Sequence, residues 1–265
     1  MTAADRTAAC VRVVAEIGHS RLKWAILDPT HHLHLQPPLP LTDSATADWP
    51  ALVQRLAAAS GVGGASVRVA LAGSNRPAKA RLLAQLHDAG MRTLNLDSHA
   101  DVPIPVAVEA PERVGLDRLL NALAARARVG PGRAAIIVDA GTAVTVDLLD
   151  ASGVFAGGAI APGLSLLPRA LHHHTTTLPL LAELPAAPPL PGRNTQAAMQ
   201  AGVVWLFIGG VRELVERLAG ACTTEPTVLV TGGDAAWVGG WSLPTELVPT
   251  LTLEGVSLAA AEFLA

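Results

Sequence analysis

EIGHSRLKWAIL, Glu16 to Leu27, and IIVDAGTAVTVDLL, Ile136 to Leu149, share one pattern: apolar strand, acidic residue, glycine, hydroxyl residue, apolar strand. Alternating and continuous apolar runs bounded by a glycine turn read as paired strands. The chain therefore uses one strand-turn-strand device twice. The two copies differ at the turn, where the first has Glu16 and His19 and the second has Asp139 and Thr142.

Working outward from the first copy, HHLHLQPPLPL reads as a loop, Trp49 to Ser60 as an Ala/Leu-rich helix, and Ser66 to Ala72 as a buried strand. Pro77 to Ala89 reads as a helix with proline in its first turn. Leu94 to Leu96 offers a further strand. Asp101 to Pro111 is extended and proline-rich, and Val114 to Val129 returns to strong helical periodicity, which places a lobe boundary there. The expected division is 1–112 and 113–265.

Around the second copy the strand Ala134 to Asp139 is followed by Ala143 to Leu149 and Gly153 to Ile160, a three-stranded meander. Leu164 to His174 reads as a helix, and LPLLAELPAAPPLPG as a loop with apolar anchors. Asn194 or Thr195 caps a long apolar helix running to about Leu218 and interrupted by Gly209 and Gly210. Thr227 to Val230 reads as a strand and Gly255 to Leu264 as a terminal helix. Two lobes that each begin with the same unit and end in helices imply a duplication, with ligands bound in a cleft between the lobes.

The 265 residues suffice for two compact lobes, and half of them are hydrophobic. A formal charge of -3 supplies no basic field for a phosphate backbone, so nucleic acid is not an expected partner. Two cysteines, Cys10 and Cys222, fit no metal spacing or disulfide framework. With no signal-like N-terminal run and no uninterrupted apolar stretch of about 18 residues, the chain reads as soluble, cytoplasmic and without a membrane partner.

The residues that carry chemistry cluster at glycines. Gly18, Ser20 and Lys23 bring backbone amides, a hydroxyl and an ammonium to one turn, a nest for phosphate, although the same residues also serve a plain hairpin. Asp139 ends a buried strand, so its carboxylate requires a partner, a hydrogen bond or a cation. Thr142 and Thr145 offer hydroxyls to an oxyanion, with Gly141 allowing close approach. GLDR, Gly115 to Arg118, puts an acid and a guanidinium at a helix start, where negative charge is favoured. The acid there serves as a cap or in catalysis. The consecutive histidines His31, His32, His34 and His172 to His174 point in different directions and are poorly spaced for one metal ion.

Taken in order, the Gly18-Ser20-Lys23 hairpin, PERVGLDR, DAGTAVT, GGAIAPG, TTTLP (Thr175 to Pro179), GRNTQAAMQAG and TGGDA resemble the type III pantothenate kinases, a family of the acetate and sugar kinase/Hsp70/actin superfamily. The resemblance implies an α/β fold of two RNase H-like, actin-like ATPase lobes around a central cleft. It implies transfer of the γ-phosphoryl group of ATP to pantothenate, giving 4'-phosphopantothenate, the first step of coenzyme A biosynthesis.

By the same resemblance Asp117 is the general base. Glu16, Gly18, His19, Ser20, Lys23 and Thr142 meet ATP, while Gly115, Leu116, Arg118 and Thr195 meet pantothenate. Asp139 holds a monovalent cation, K⁺ or NH₄⁺, and Glu16 helps place Mg²⁺. A homodimer is expected. The family's first hairpin normally reads Asp-x-Gly-Asn-Thr/Ser-x-x-Lys, and here Glu16 and His19 depart from it. The extra methylene of Glu is expected to carry the carboxylate outward. That departure raises an alternative reading, a weakly active or non-catalytic relative with a regulatory or binding role.

Overall fold

The computed structural model describes residues 10–18, 21–41 and 66–265, so His19, Ser20 and the helix expected from Trp49 to Ser60 lie outside the described residues. Two compact units emerge. The first comprises the described parts of Met1–Pro103 with Ala110–Ala124 and Thr250–Ala265. The second comprises Ile104–Glu109 and Ala125–Pro249.

In the first unit, strands β1 (Cys10–Ile17), β2 (Arg21–Leu27) and β3 (Leu33–Leu35) form an antiparallel meander, and the short β4 (Leu39–Pro40) pairs with β2. β5 (Ser66–Gly73) runs parallel to β1, and β6 (Arg92–Asn95) parallel to β5, giving the order β3-β2-β1-β5-β6. Strand alternation turns Val11, Val13, Ala15 and Ile17 to one face. There they pack with Leu22, Trp24, Val67, Val69 and Leu71, and with Ala78, Leu82 and Leu86 of helix α1 (Arg76–Asp88). α1 starts where Asn75 accepts the N–H of Ala78 at 3.2 Å. Helix α2 (Leu116–Val129) begins in this unit after a 3₁₀ turn, Pro111–Arg113.

The second unit repeats this topology. β7 (Ala135–Ala140), β8 (Ala143–Leu149) and β9 (Phe155–Pro162) form the antiparallel meander. After helices α3 (Leu166–His174) and α4 (Thr195–Gly220), β10 (Thr227–Thr231) runs parallel to β7 and β11 (Thr245–Leu247) parallel to β10. The order β11-β10-β7-β8-β9 is that of the first sheet read from its other edge. Each unit is thus an RNase H-like sheet, a three-stranded meander extended by parallel strands on its first strand's free edge.

α4 is long and apolar enough to cross a membrane by length and composition alone. Its Met199, Val203, Phe207, Val211 and Val215 are buried at four-residue spacing, and the last four pack on β7, β8 and β10, which makes it the core helix of this unit. Gly209 and Gly210 do not interrupt it. Their missing side chains point to open space, so the packing of Phe207 and Val211 carries the helix through.

The compact units are not the contiguous halves 1–112 and 113–265. The chain returns at its end to the first unit, where helix α5 (Leu251–Ala259) packs on β1, β2 and β5 and the short α6 (Ala261–Leu264) on β5. A Cβ on Gly255 would lie 2.1 Å from the carbonyl oxygen of Leu120, so that glycine lets α5 approach α2 backbone to backbone. The terminal helix therefore starts at Leu251 rather than Gly255, and it breaks at Ala260.

Candidate active site

The first hairpin positions Glu16 on the sheet face opposite the α1 core, since Ala15 and Ile17 both point into that core. Glu16 is 7% exposed and pairs in register with Lys23 on β2 and Ala72 on β5. Lys23 Nζ lies 3.9 Å from Glu16 Oε2. Gly18 closes the turn by donating its N–H to Arg21 O at 3.0 Å.

The second hairpin repeats the arrangement with a turn one residue shorter. Asp139 sits between Val138 and Ala140, both in the α4 core, and so points to the opposite face. Gly141 donates its N–H to Ala143 O at 3.1 Å. A Cβ built on Gly141 would be 3.6 Å from Asp139 Oδ1, and one on Gly18 would be 3.5 Å from Glu16 Oε1. The extra methylene of Glu16 therefore does not carry its carboxylate away from the turn, because the longer chain folds back toward Gly18.

Both turns are braced by glycine. Gly73, the last residue of β5, at φ 152°, and Gly232, just after β10, at φ 97°, lie flat against Ile17 and Ala140, the residues next to the two carboxylates. Ser74 donates to Ile17 O at 3.2 Å and Asp234 to Ala140 O at 2.9 Å. Gly163, the last glycine of GGAIAPG, donates to Thr142 O at 3.1 Å, and a Cβ there would be 2.2 Å from Gly141 O. It lies against the backbone of the Gly141-Thr142 turn and leaves the Thr142 side chain exposed at its tip.

PERVGLDR forms the start of α2. Asp117 Oδ1 accepts the N–H of Arg118 at 2.9 Å, and a Cβ on Gly115 would be 2.6 Å from that same oxygen. Gly115 thus leaves room for the half-buried Asp117 carboxylate to fold over the helix N-terminus, where the macrodipole favours its charge. Leu116 and Arg118, also half-buried, flank it. Thr195 is the first residue of α4, exposed, beside the Asn194 cap that accepts the N–H of Ala197 at 2.8 Å. Gly192 of the same motif packs against the Ala198 backbone.

The expected site residues thus fall into four local groups. Glu16, Gly18 and Lys23 share the first hairpin and Gly115 to Arg118 the α2 start, all in the first unit. Asp139 and Thr142 share the second hairpin and Thr195 the α4 start, in the second unit. His19 and Ser20 lie outside the described residues. The histidine clusters serve local structure: His34 Nε2 lies 3.0 Å from Asp28 Oδ2, and His172 Nδ1 2.8 Å from Leu178 O.

Two features escaped the sequence reading. Gly73 was legible in principle, since Gly-Ser-Asn after β5 echoes Gly-Gly-Asp after β10. The second is Thr231, whose buried hydroxyl has no hydrogen-bond partner among the described residues. The same holds for Thr145. Both sit beside Asp139 in register.

A family model described as type III pantothenate kinase matches residues 12–217. The type III pantothenate kinase of Gluconobacter oxydans is 41% identical over 166 residues, covering 62% of this chain and 60% of that protein. That of Rhodopirellula baltica is 43% identical over 177 residues, covering 63% and 61%. The chain's match thus spans about three fifths of the length of these relatives. Among solved structures, a putative 2-dehydro-3-deoxygalactonokinase from Sinorhizobium meliloti superposes with a TM-score of 0.55 at 15% identity, over 95% of this chain and 99% of that one. A putative Baf family transcriptional activator from Campylobacter jejuni gives 0.53 at 19% identity, over 95% and 97%. These two likenesses speak to the fold, which is that of the sugar kinases and actin-like ATPases. With the family model covering both hairpins, the α2 start and the α4 start, the chain belongs to the type III pantothenate kinase family.

Proposed function

We propose that this protein transfers the γ-phosphoryl group of ATP to the primary hydroxyl of pantothenate, forming 4'-phosphopantothenate in the cytoplasm. The observation that carries this reading is the family match over residues 12–217, which takes in all four local groups of the site.

Phosphoryl transfer asks little covalent work of a protein, so positioning and charge neutralisation carry the rate. Asp117 accepts the proton of the attacking hydroxyl. Its carboxylate is held for that task by the Arg118 N–H, over the space that Gly115 leaves. Arg118, Leu116 and Gly115 orient pantothenate, joined by Thr195. Lys23, the Gly18 turn and the Thr142 tip meet the phosphates.

Mg²⁺ supplies, when bound, neutralisation of the phosphate charge. Glu16 fits its preference for hard oxygen, since the carboxylate stands near a strand end beside the Gly18 turn. Asp139 fits a monovalent cation, K⁺ or NH₄⁺, because buried hydroxyl oxygens adjoin it on both neighbouring strands. A homodimer draws support from α4, which exposes Trp205 and Leu206, the latter 66% exposed. Light scattering of the purified protein tests that point.

The reaction is tested by following phosphopantothenate production with ATP, Mg²⁺ and pantothenate, with and without potassium, using Asp117→Asn as the blank. Turnover that needs potassium and disappears in Asp117→Asn supports the proposal. A folded protein with no turnover above the blank overturns it.

A further inference from the structure

The two strand-end carboxylates have different neighbours. Glu16 is flanked in register by Lys23 and Ala72, and the Lys23 ammonium stands 3.9 Å from it. Asp139 is flanked by Thr145 on β8 and Thr231 on β10, so three oxygen-bearing side chains form a row on one face across three adjacent strands. Thr231 is 1% exposed, and neither threonine hydroxyl has a hydrogen-bond partner among the described residues. A buried hydroxyl is normally satisfied by protein, water or an ion, and β10 otherwise fills this depth with valine and leucine.

We infer that Thr231 is a ligand of the monovalent cation, sharing it with Asp139 on the β10 side of the row. This rests on the reading of Asp139 as the cation holder and adds its neutral partner. One carboxylate and a neutral hydroxyl balance a single positive charge, whereas a divalent ion draws on more anionic oxygen. Adjacent strands lie about 4.8 Å apart, a spacing that lets oxygens of neighbouring strands share an ion of potassium's size. Thr145 and Thr231 are two spacings apart, roughly 9.6 Å, too far for one ion to touch both. Both hydroxyls are buried, but Thr145 as a residue is half-buried whereas Thr231 is enclosed throughout, so Thr231 takes the direct contact.

The test is thermal unfolding of the full chain in potassium, ammonium or tetramethylammonium chloride at equal ionic strength, a readout independent of turnover. Potassium and ammonium are expected to raise the midpoint saturably. Thr231→Val, which keeps the shape, and Thr231→Ala, which does not, should each raise the half-saturating potassium concentration about tenfold or abolish the response. Thr231→Ser should retain it, Thr145→Val should change it less than about twofold, and Asp139→Asn should abolish it. A response lost in Asp139→Asn but unchanged in both Thr231 variants overturns the Thr231 assignment and leaves the Asp139 reading standing. A wild-type protein indifferent to potassium overturns both, and neither outcome depends on the phosphorylation assay.

Discussion

Gly73 and Gly232 occupy the same place in the two sheets: a Cβ on Gly73 would lie 2.4 Å from Ile17 O, and one on Gly232 2.4 Å from Ala140 O. Each glycine has a positive φ and lets its parallel strand end flat against the strand that carries the carboxylate. Because the obstruction is backbone, it cannot be relieved by a rotamer change. Gly73→Ala and Gly232→Ala should each cost about 2 kcal/mol or more. Gly209→Ala, where an added Cβ meets nothing within 4 Å in the middle of α4, should instead stabilise by about 0.5–1 kcal/mol. Urea unfolding of the three variants checks the contrast.

Much of this duplication was legible in the chain. Both hairpins, the helices over 116–129 and 195–220 and the strand before TGGDA follow from apolar periodicity and glycine placement, which are local signals. The Pro- and His-rich stretch after Leu27 hid β3 and β4, because two- and three-residue edge strands carry no periodicity. The three-residue β11 escaped for the same reason. Non-local pairing hid the rest. Thr231 reads as an ordinary strand end until β10 is set beside β7, and nothing near Gly255 says that the last helix returns to the first unit against Leu120. The placement of Glu16 was hidden as well, since side-chain length alone predicts an outward carboxylate and only the fold shows it bent back to Gly18.

That placement sets an expectation for the first hairpin. Since Glu16 Oε1 already lies as close to the Gly18 turn as Asp139 Oδ1 lies to the Gly141 turn, Glu16→Asp should not repair anything. The change in kcat/KM for ATP should stay within about threefold, and a shortened reach makes a decrease the expected sign. Lys23→Met should lower it about a hundredfold or more through lost phosphate stabilisation. Steady-state kinetics decide, and a large gain in Glu16→Asp would favour the reading of an eroded site.

Gly115 offers a way to move the Asp117 carboxylate without changing its chemistry. Gly115→Ala places a methyl 2.6 Å from Asp117 Oδ1, so the side chain must leave its hydrogen bond with the Arg118 N–H. The fold should persist, because the obstructing atom is the end of a side chain. kcat should fall about tenfold to a hundredfold, less than the roughly 10²–10⁴ expected of Asp117→Asn. Comparison of kcat with the unfolding midpoint separates the two effects.

Lys79 is buried in α1, 4% exposed, with its ammonium 2.5 Å from Asp97 Oδ1 and 3.3 Å from Leu96 O. The hydrogen bond and charge of Lys79 hold the Asp97 carboxyl below its ordinary value. A carboxylate depressed in the folded state contributes stability above its unfolded pKa of about 3.9, and that contribution is lost as pH falls through the lower folded value. Asp97→Asn leaves a buried ammonium short of its counter-charge, but Asp97 is 56% exposed and water replaces part of the loss, so about 1–2 kcal/mol is expected at pH 7. Lys79→Met removes the charge together with its need for a partner and should be neutral within about 1 kcal/mol. Because Asp97→Asn cannot titrate, its deficit against wild type should shrink below about pH 4. Urea unfolding at pH 7 and pH 3.5 measures both, and a deficit that stays constant across that range would show that the pair is not what lowers the Asp97 carboxyl.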